Sequence, residues 1–242
     1  MSPAVVVFLY ALATAAATAL GALPFVFIRT VSARTVAYAN AVASGLMLGA
    51  CVGLVAEGAE VGAWQTGVGA LAGVVFILAT QRLLHEHEFE VGELRGAGAR
   101  RMVLIVVVMT VHSVAEGIAV GAAFGGGMTL ATMITVAIAV HNIPEGLAIS
   151  AVLRPQGASV LACAGWSFFS SLPQPILAVP AFLFVDAVRP ALPYGIGFAA
   201  GAMVFMVLVE LLPEAYEEGR RTPVSLLVSL TLVAMVVLQR YL

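Results

Sequence analysis

Two short segments of this chain carry residues whose types and spacing suit metal chemistry. They read HSVAEGIAV from His112 and HNIPEGLAI from His141, a shared H-x-x-x-E-G-[IL]-A-[VI] pattern. A separation of four residues puts His112 with Glu116, and His141 with Glu145, on one helical face, one turn apart. Both pairs sit near the middle of apolar runs, where a charged residue costs at least about 2.5 kcal/mol on insertion scales. A divalent cation resolves that cost, because it neutralises both carboxylates and uses both imidazole lone pairs. Two His and two Glu suit Zn²⁺ or a similar first-row ion. Two other readings compete: a polar cluster that only staples two helices together, and a proton relay without metal. Pro144, directly before Glu145, frees the carbonyl of Val140 and is expected either to open space beside the site or simply to kink the helix.

Composition says what positions these groups. Of 242 residues, 62% are hydrophobic and 10% charged, against roughly half and a quarter in a soluble domain, so the chain reads as an all-α integral membrane protein. A membrane span takes about 20 mostly apolar residues. Eight segments qualify: 4–28, 36–57, 61–83, 102–124, 129–153, 158–185, 193–213 and 223–241. They make one transmembrane domain over 1–242, interrupted by a polar loop at 82–101, with the metal site between helices 4 and 5. Gly125-Gly126-Gly127-Met128 is short enough to make those two helices antiparallel neighbours with both His–Glu pairs at one depth. Arg placement orients the whole. All 11 basic residues are Arg; nine flank the loops after spans 1, 3, 5 and 7, and only Arg189 and Arg240 lie opposite. The positive-inside rule puts the 82–101 loop in the cytoplasm and both termini outside. No run of Arg suits nucleic acid.

Glycines at fourfold spacing, Gly45/Gly49/Gly53, Gly117/Gly121/Gly125 and Gly197/Gly201, are expected to let helix backbones approach closely. Pro173, Pro175 and Pro180 interrupt the sixth span, freeing carbonyls that protein or water must satisfy. Cys51 and Cys163, isolated in apolar segments, read as small filler. Glu57 and Glu60 read as interfacial, Asp186 as an exposed loop residue, and Glu210, inside an apolar run, as a candidate to line a metal path. Glu214 ends the same span. His85 and His87, flanked by Glu, are either solvated or a weak cytoplasmic metal acceptor.

At the paired H-x-x-x-E-G segments the sequence resembles the ZIP (Zrt/Irt-like) divalent-metal transporters, especially their prokaryotic GufA-like branch. HNIPEGLAISAVL is similar to that branch's fifth-helix motif and HSVAEGIAVG to its fourth. GAMVFMVLVELLPE (201–214) and ASGLMLGACVGLVAE (43–57) are similar to the family's seventh and second helices. The resemblance implies eight helices, a metal site between helices 4 and 5, movement of metal toward the cytoplasm across a cell membrane (for this branch, a prokaryotic plasma membrane), and a homodimer. Relatives can carry a second metal position bridged by the motif carboxylates. Here Ser113, Asn142 and Gln174, with Gln174 where relatives often have Glu before a Pro, would make it neutral, so that position is expected to be weak or empty.

The expected function is transport of a divalent metal ion, zinc foremost, with iron, cadmium and manganese as alternatives. The metal is cargo; no cofactor and no enzymatic activity are expected. The competing reading from another class, an intramembrane zinc-dependent hydrolase, needs an open coordination position, a general base and a cleft, and the H-E-x-x-H pattern is absent. A metal sensor would be expected to carry a soluble signalling domain, and none is evident in the sequence.

Overall fold

The computed structural model describes residues 1–28, 32–85, 90–91, 94–125 and 127–241. In chain order the helices are α1 (Pro3–Leu20), α2 (Pro24–Phe27), α3 (Ala33–His85), α4 (Gly96–Phe124), α5 (Met128–Leu153), α6 (Val160–Ser170), α7 (Pro173–Leu183), α8 (Val185–Val188), α9 (Leu192–Met206), α10 (Leu212–Glu218) and α11 (Arg221–Gln239). A π-helical stretch, Val207–Leu211, joins α9 to α10. Among the described residues the strands are Glu90–Val91 and Leu94–Arg95, an antiparallel pair between α3 and α4.

Six helices among the described residues are long and apolar enough to cross a membrane: Pro3–Phe27, Ala33–Leu83, Met102–Phe124, Met128–Gln156, Val185–Glu218 and Arg221–Gln239. The eight expected segments are joined and broken differently from eight separate spans. Segments 36–57 and 61–83 share α3, whose 53 residues would extend about 80 Å if straight, far beyond the roughly 30 Å of a bilayer core. Its backbone leaves helical geometry at Gly62 (φ −172°, ψ 93°), and the two limbs run in opposite directions along α9. On the first limb Asn40 meets Glu214 and Cys51 meets Ala200. On the second, Gly73 meets Phe198 and Gln81 meets Glu210. Segment 158–185 is split into α6 and α7, 11 residues each, because Pro173 and Pro175 lack the N–H groups that would continue the helix. Pro180 and Pro144, in contrast, are carried inside α7 and α5.

The expected loop 82–101 is shorter than the sequence suggests, since α3 runs to His85 and α4 begins at Gly96. The glycine stripes do face neighbouring backbones. A Cβ on Gly45 or Gly49 would meet α11 at Val228 or Leu232, one on Gly121 would meet Ala178 of α7, and one on Gly197 or Gly201 would meet Thr66 or Ala70 of α3. In lipid, where apolar burial gives helices no preference for each other, such contacts supply the dispersion energy of association. Cys51 and Cys163 are buried and unpaired. Glu57, Glu60 and Asp186 are exposed.

Candidate metal centre

The centre forms where α4 and α5 run antiparallel out of the turn at Gly127, which holds a positive φ of 103° that glycine adopts without steric cost. That turn brings His112, Glu116, His141 and Glu145 together at one level. One ligand atom from each lies within 4.8 Å of all the others, and relative exposure is 1%, 5%, 5% and 0%. His112 Nε2 lies 3.1 Å from Glu145 Oε1 and 3.5 Å from Glu116 Oε1. His141 Nε2 lies 3.3 Å from Glu145 Oε1 and 4.0 Å from Glu116 Oε1. The imidazoles stack with centroids 5.5 Å apart and planes 13° apart. Yet Nε2 of both His and both Glu145 oxygens make no hydrogen bond to the protein. Buried polar atoms are normally paired, so these four atoms of His112, His141 and Glu145, converging without hydrogen-bond geometry, are arranged as a shared cation would need them.

The glycine after each Glu explains the repeated E-G. A Cβ at Gly117 would press on the backbone of Gln174, and one at Gly146 would collide with the carbonyl of Thr18. These two positions therefore let α7 close against α4 and α1 against α5, and both deliver polar groups. The Gln174 amide donates to Glu116 Oε2 (2.6 Å) and, at 3.4 Å, to Ser113 Oγ. Its carbonyl accepts from Thr14 Oγ1 (2.5 Å) and from Asn142 Nδ2 (3.1 Å). Asn142 also donates to the Thr14 carbonyl (2.8 Å), and Thr18 and Ser171 hydroxyls pair at 2.7 Å. Ser113, Asn142 and Gln174 thus stand beside the cluster in a network of neutral side chains, in which Asn142 Oδ1 alone of the Asn142 and Gln174 side-chain atoms finds no partner. Thr14, Thr18 and Ser171 were missed in the sequence, and their signal there was faint: two Thr four residues apart in an otherwise apolar first helix.

Glu210 lies outside the four-residue cluster. It sits in the π-helical stretch, its Oε1 accepting from the Gln81 amide at 2.9 Å, and lines a small cavity with Leu104, Ile105, Val152, Met206 and Leu211. Ile105 precedes His112 by seven residues and Val152 follows Glu145 by seven, which places the cavity roughly 10 Å along the bundle from the cluster. Glu214 accepts from buried Asn40 at 2.8 Å. His85 ends α3, and His87 lies outside the described residues.

Residues 80–238, from the end of α3 to the end of α11, match the family profile described as ZIP zinc transporter. The chain belongs to the ZIP zinc transporter family. All four clustered residues, with Gln174 and Glu210, fall inside the matched stretch, whereas Thr14 of α1 lies outside it. A putative zinc transporter of Arabidopsis thaliana is 43% identical over 94% of this chain and 37% of its own length. The zinc transporter ZIP11 of Homo sapiens is 35% identical over 51% of this chain and 38% of its own length. The zinc transporter GufA of Myxococcus xanthus is 31% identical over 65% of this chain and 63% of its own length. The chain thus spans less than two fifths of the plant and human relatives. As a ZIP family member with membrane-crossing helices, it is a multi-pass membrane protein.

Proposed function

We propose that this ZIP family chain carries a divalent metal ion, zinc foremost, across a cell membrane toward the cytoplasm, with His112, Glu116, His141 and Glu145 holding the ion in transit. The observation that carries the reading is the cluster itself: two imidazoles and two carboxylates, buried on two antiparallel apolar helices with their ligand atoms within 4.8 Å of one another. That set neutralises a +2 ion and matches the nitrogen and oxygen donors zinc takes. The names of the relatives, a putative zinc transporter in the plant and zinc transporters in the human and bacterial cases, support the same cargo.

In this reading the two limbs of α3 cross the membrane separately and the α6–α7 pair crosses as a broken span, giving eight crossings in one unit over 1–242. Both termini then face outward, and the 82–101 connection faces the cytoplasm of what we take to be a prokaryotic cell. Two copies make a homodimer. One ion binds tightly per chain, because Ser113, Asn142 and Gln174 offer no charge to a second. Glu210, in its cavity beyond the cluster, lines the inward path. Uptake of zinc, cadmium, iron and manganese into liposomes holding the purified protein tests the proposal. Zinc entering faster than into protein-free liposomes, and no faster with Glu145→Gln, is expected; equal uptake by protein-free, wild-type and variant liposomes would overturn it.

A further inference from the structure

The two carboxylates of the cluster are not equivalent, and the difference is imposed from outside it. Both Glu145 oxygens are buried without a hydrogen bond. Glu116 is tied: its Oε2 accepts from Gln174 Nε2 at 2.6 Å, while its Oε1 faces the imidazoles at 3.5 and 4.0 Å. The surroundings of the Gln174 side chain disfavour its turning over to release Glu116. Gln174 is fully buried, and its carbonyl is held by Asn142, whose own amide is pinned to the Thr14 carbonyl, and by the Thr14 hydroxyl, which shares its one proton with the Ala11 carbonyl. Exchanging the amide's ends would set its NH₂ against the NH₂ of Asn142 and its oxygen against a Glu116 oxygen, two mismatched pairs in a buried site.

We infer that Gln174 is a specificity-determining positioning residue: by holding Glu116 Oε2 toward α7 it turns Glu116 so that only Oε1 faces the metal position. The inference rests on the metal-site reading proposed above and adds the coordination number to it. The set then supplies two imidazole nitrogens, one oxygen of Glu116 and one or two of Glu145, hence four or five donors. Zinc is content with four, in a tetrahedron. Manganese and magnesium favour six, mostly oxygen, in an octahedron. Capping one carboxylate oxygen therefore biases the site against ions that need the larger shell, at a residue that never touches the ion.

The test uses the purified full chain loaded with Zn²⁺ or Co²⁺, read by X-ray absorption at the zinc edge and by the visible spectrum of bound cobalt. Wild-type protein is expected to show four or five nitrogen and oxygen neighbours and the intense cobalt bands of low coordination. In Gln174→Ala and Gln174→Leu the freed oxygen joins the shell. The neighbour count rises, the cobalt bands weaken, and zinc affinity falls at least about tenfold, the lower end of what losing an outer partner does at metal sites, while manganese affinity falls less. A purely structural role would lower both affinities without changing the spectrum. Six neighbours in wild type, a count that needs no variant to fold, would overturn the inference. So would variants that elute like wild type with unchanged count and unchanged metal preference. Wild-type protein that binds neither zinc nor cobalt would instead overturn the metal-site reading itself.

Discussion

Replacing Glu145 by Gln separates charge from shape at the centre of the cluster. Glu145 is fully buried, and its Oε1 is the atom nearest both imidazoles, 3.1 Å from His112 and 3.3 Å from His141. Gln keeps the volume and one oxygen donor but removes one of two negative charges facing the ion. A pair of unit charges 4 Å apart interacts by about 4 kcal/mol at an effective dielectric of 20, which corresponds to roughly a thousandfold in Kd. The predicted loss of zinc affinity is therefore about three orders of magnitude. The metal-free protein should not suffer, because a buried carboxylate without a hydrogen bond is replaced by a neutral amide. Thermal unfolding in detergent, with a chelator and then with zinc, reads both effects. Zinc at a hundred times its Kd adds about 2.7 kcal/mol to wild type, while the same concentration should barely move the variant. Equal zinc-induced stabilisation of the two proteins, with equal Kd by titration, would refute the argument that Glu145 supplies charge to a bound cation.

Three further outcomes are expected. Gly146→Leu should disrupt the α1–α5 contact, since even a Cβ there collides with the Thr18 carbonyl; overpacking of this kind costs about 1–3 kcal/mol or more, seen as a lower unfolding midpoint without metal. Zinc affinity should fall as pH drops from 7.5 to 5.5, because protons compete for the imidazoles and carboxylates that must be deprotonated to bind; a pH-independent Kd over that range would count against these four ligands. A single cysteine at position 90 should be blocked to a membrane-impermeant thiol reagent in intact cells and open in inverted vesicles, and labelling from outside would reverse the Arg-based orientation.

The core of the site was legible because its signal is local. Spacing of four residues, repeated in two neighbouring apolar helices, is enough to bring His112, Glu116, His141 and Glu145 together once a short glycine turn makes the helices antiparallel. The glycine stripes were legible for the same reason. The connectivity of helices was not, because Gly62 is one of many glycines and only its backbone angles bend α3 there. Nor was the partnership of Thr14 with Gln174: a Thr in an apolar helix also satisfies itself on a preceding carbonyl, as Thr14 does with Ala11, so its type alone announces no distant partner. Gln174 was legible as a neutral residue in a place of interest. The orientation of its amide, from which its effect on Glu116 follows, depends on residues 32 and 160 positions away.

The cluster's outer partners also bear on whether it suits a resident ion or one in transit. At resident metal sites a ligating His almost always donates its other ring N–H, and ligating carboxylates are hydrogen-bonded in turn, which fixes the ligands and raises affinity. Here that support is uneven. Glu116 is held by Gln174, but Nδ1 of His112 and both Glu145 oxygens find no hydrogen-bond partner from the protein. Glu116 is therefore tethered to α7, whereas the Glu145 carboxylate on α5 faces only the two imidazoles, at 3.1 and 3.3 Å, and would depend on a bound cation to hold it. An ion bound by these residues would have a fixed side at Glu116 and a yielding side at Glu145. A small shift of α5 against α4 would remove charge and an oxygen donor from one side without first breaking a hydrogen bond at Glu145. A hydrolase gains from a rigid metal throughout its cycle; a carrier that gripped its cargo equally on every side would pay for tight binding with slow release. The asymmetry between Glu116 and Glu145 favours the carrier.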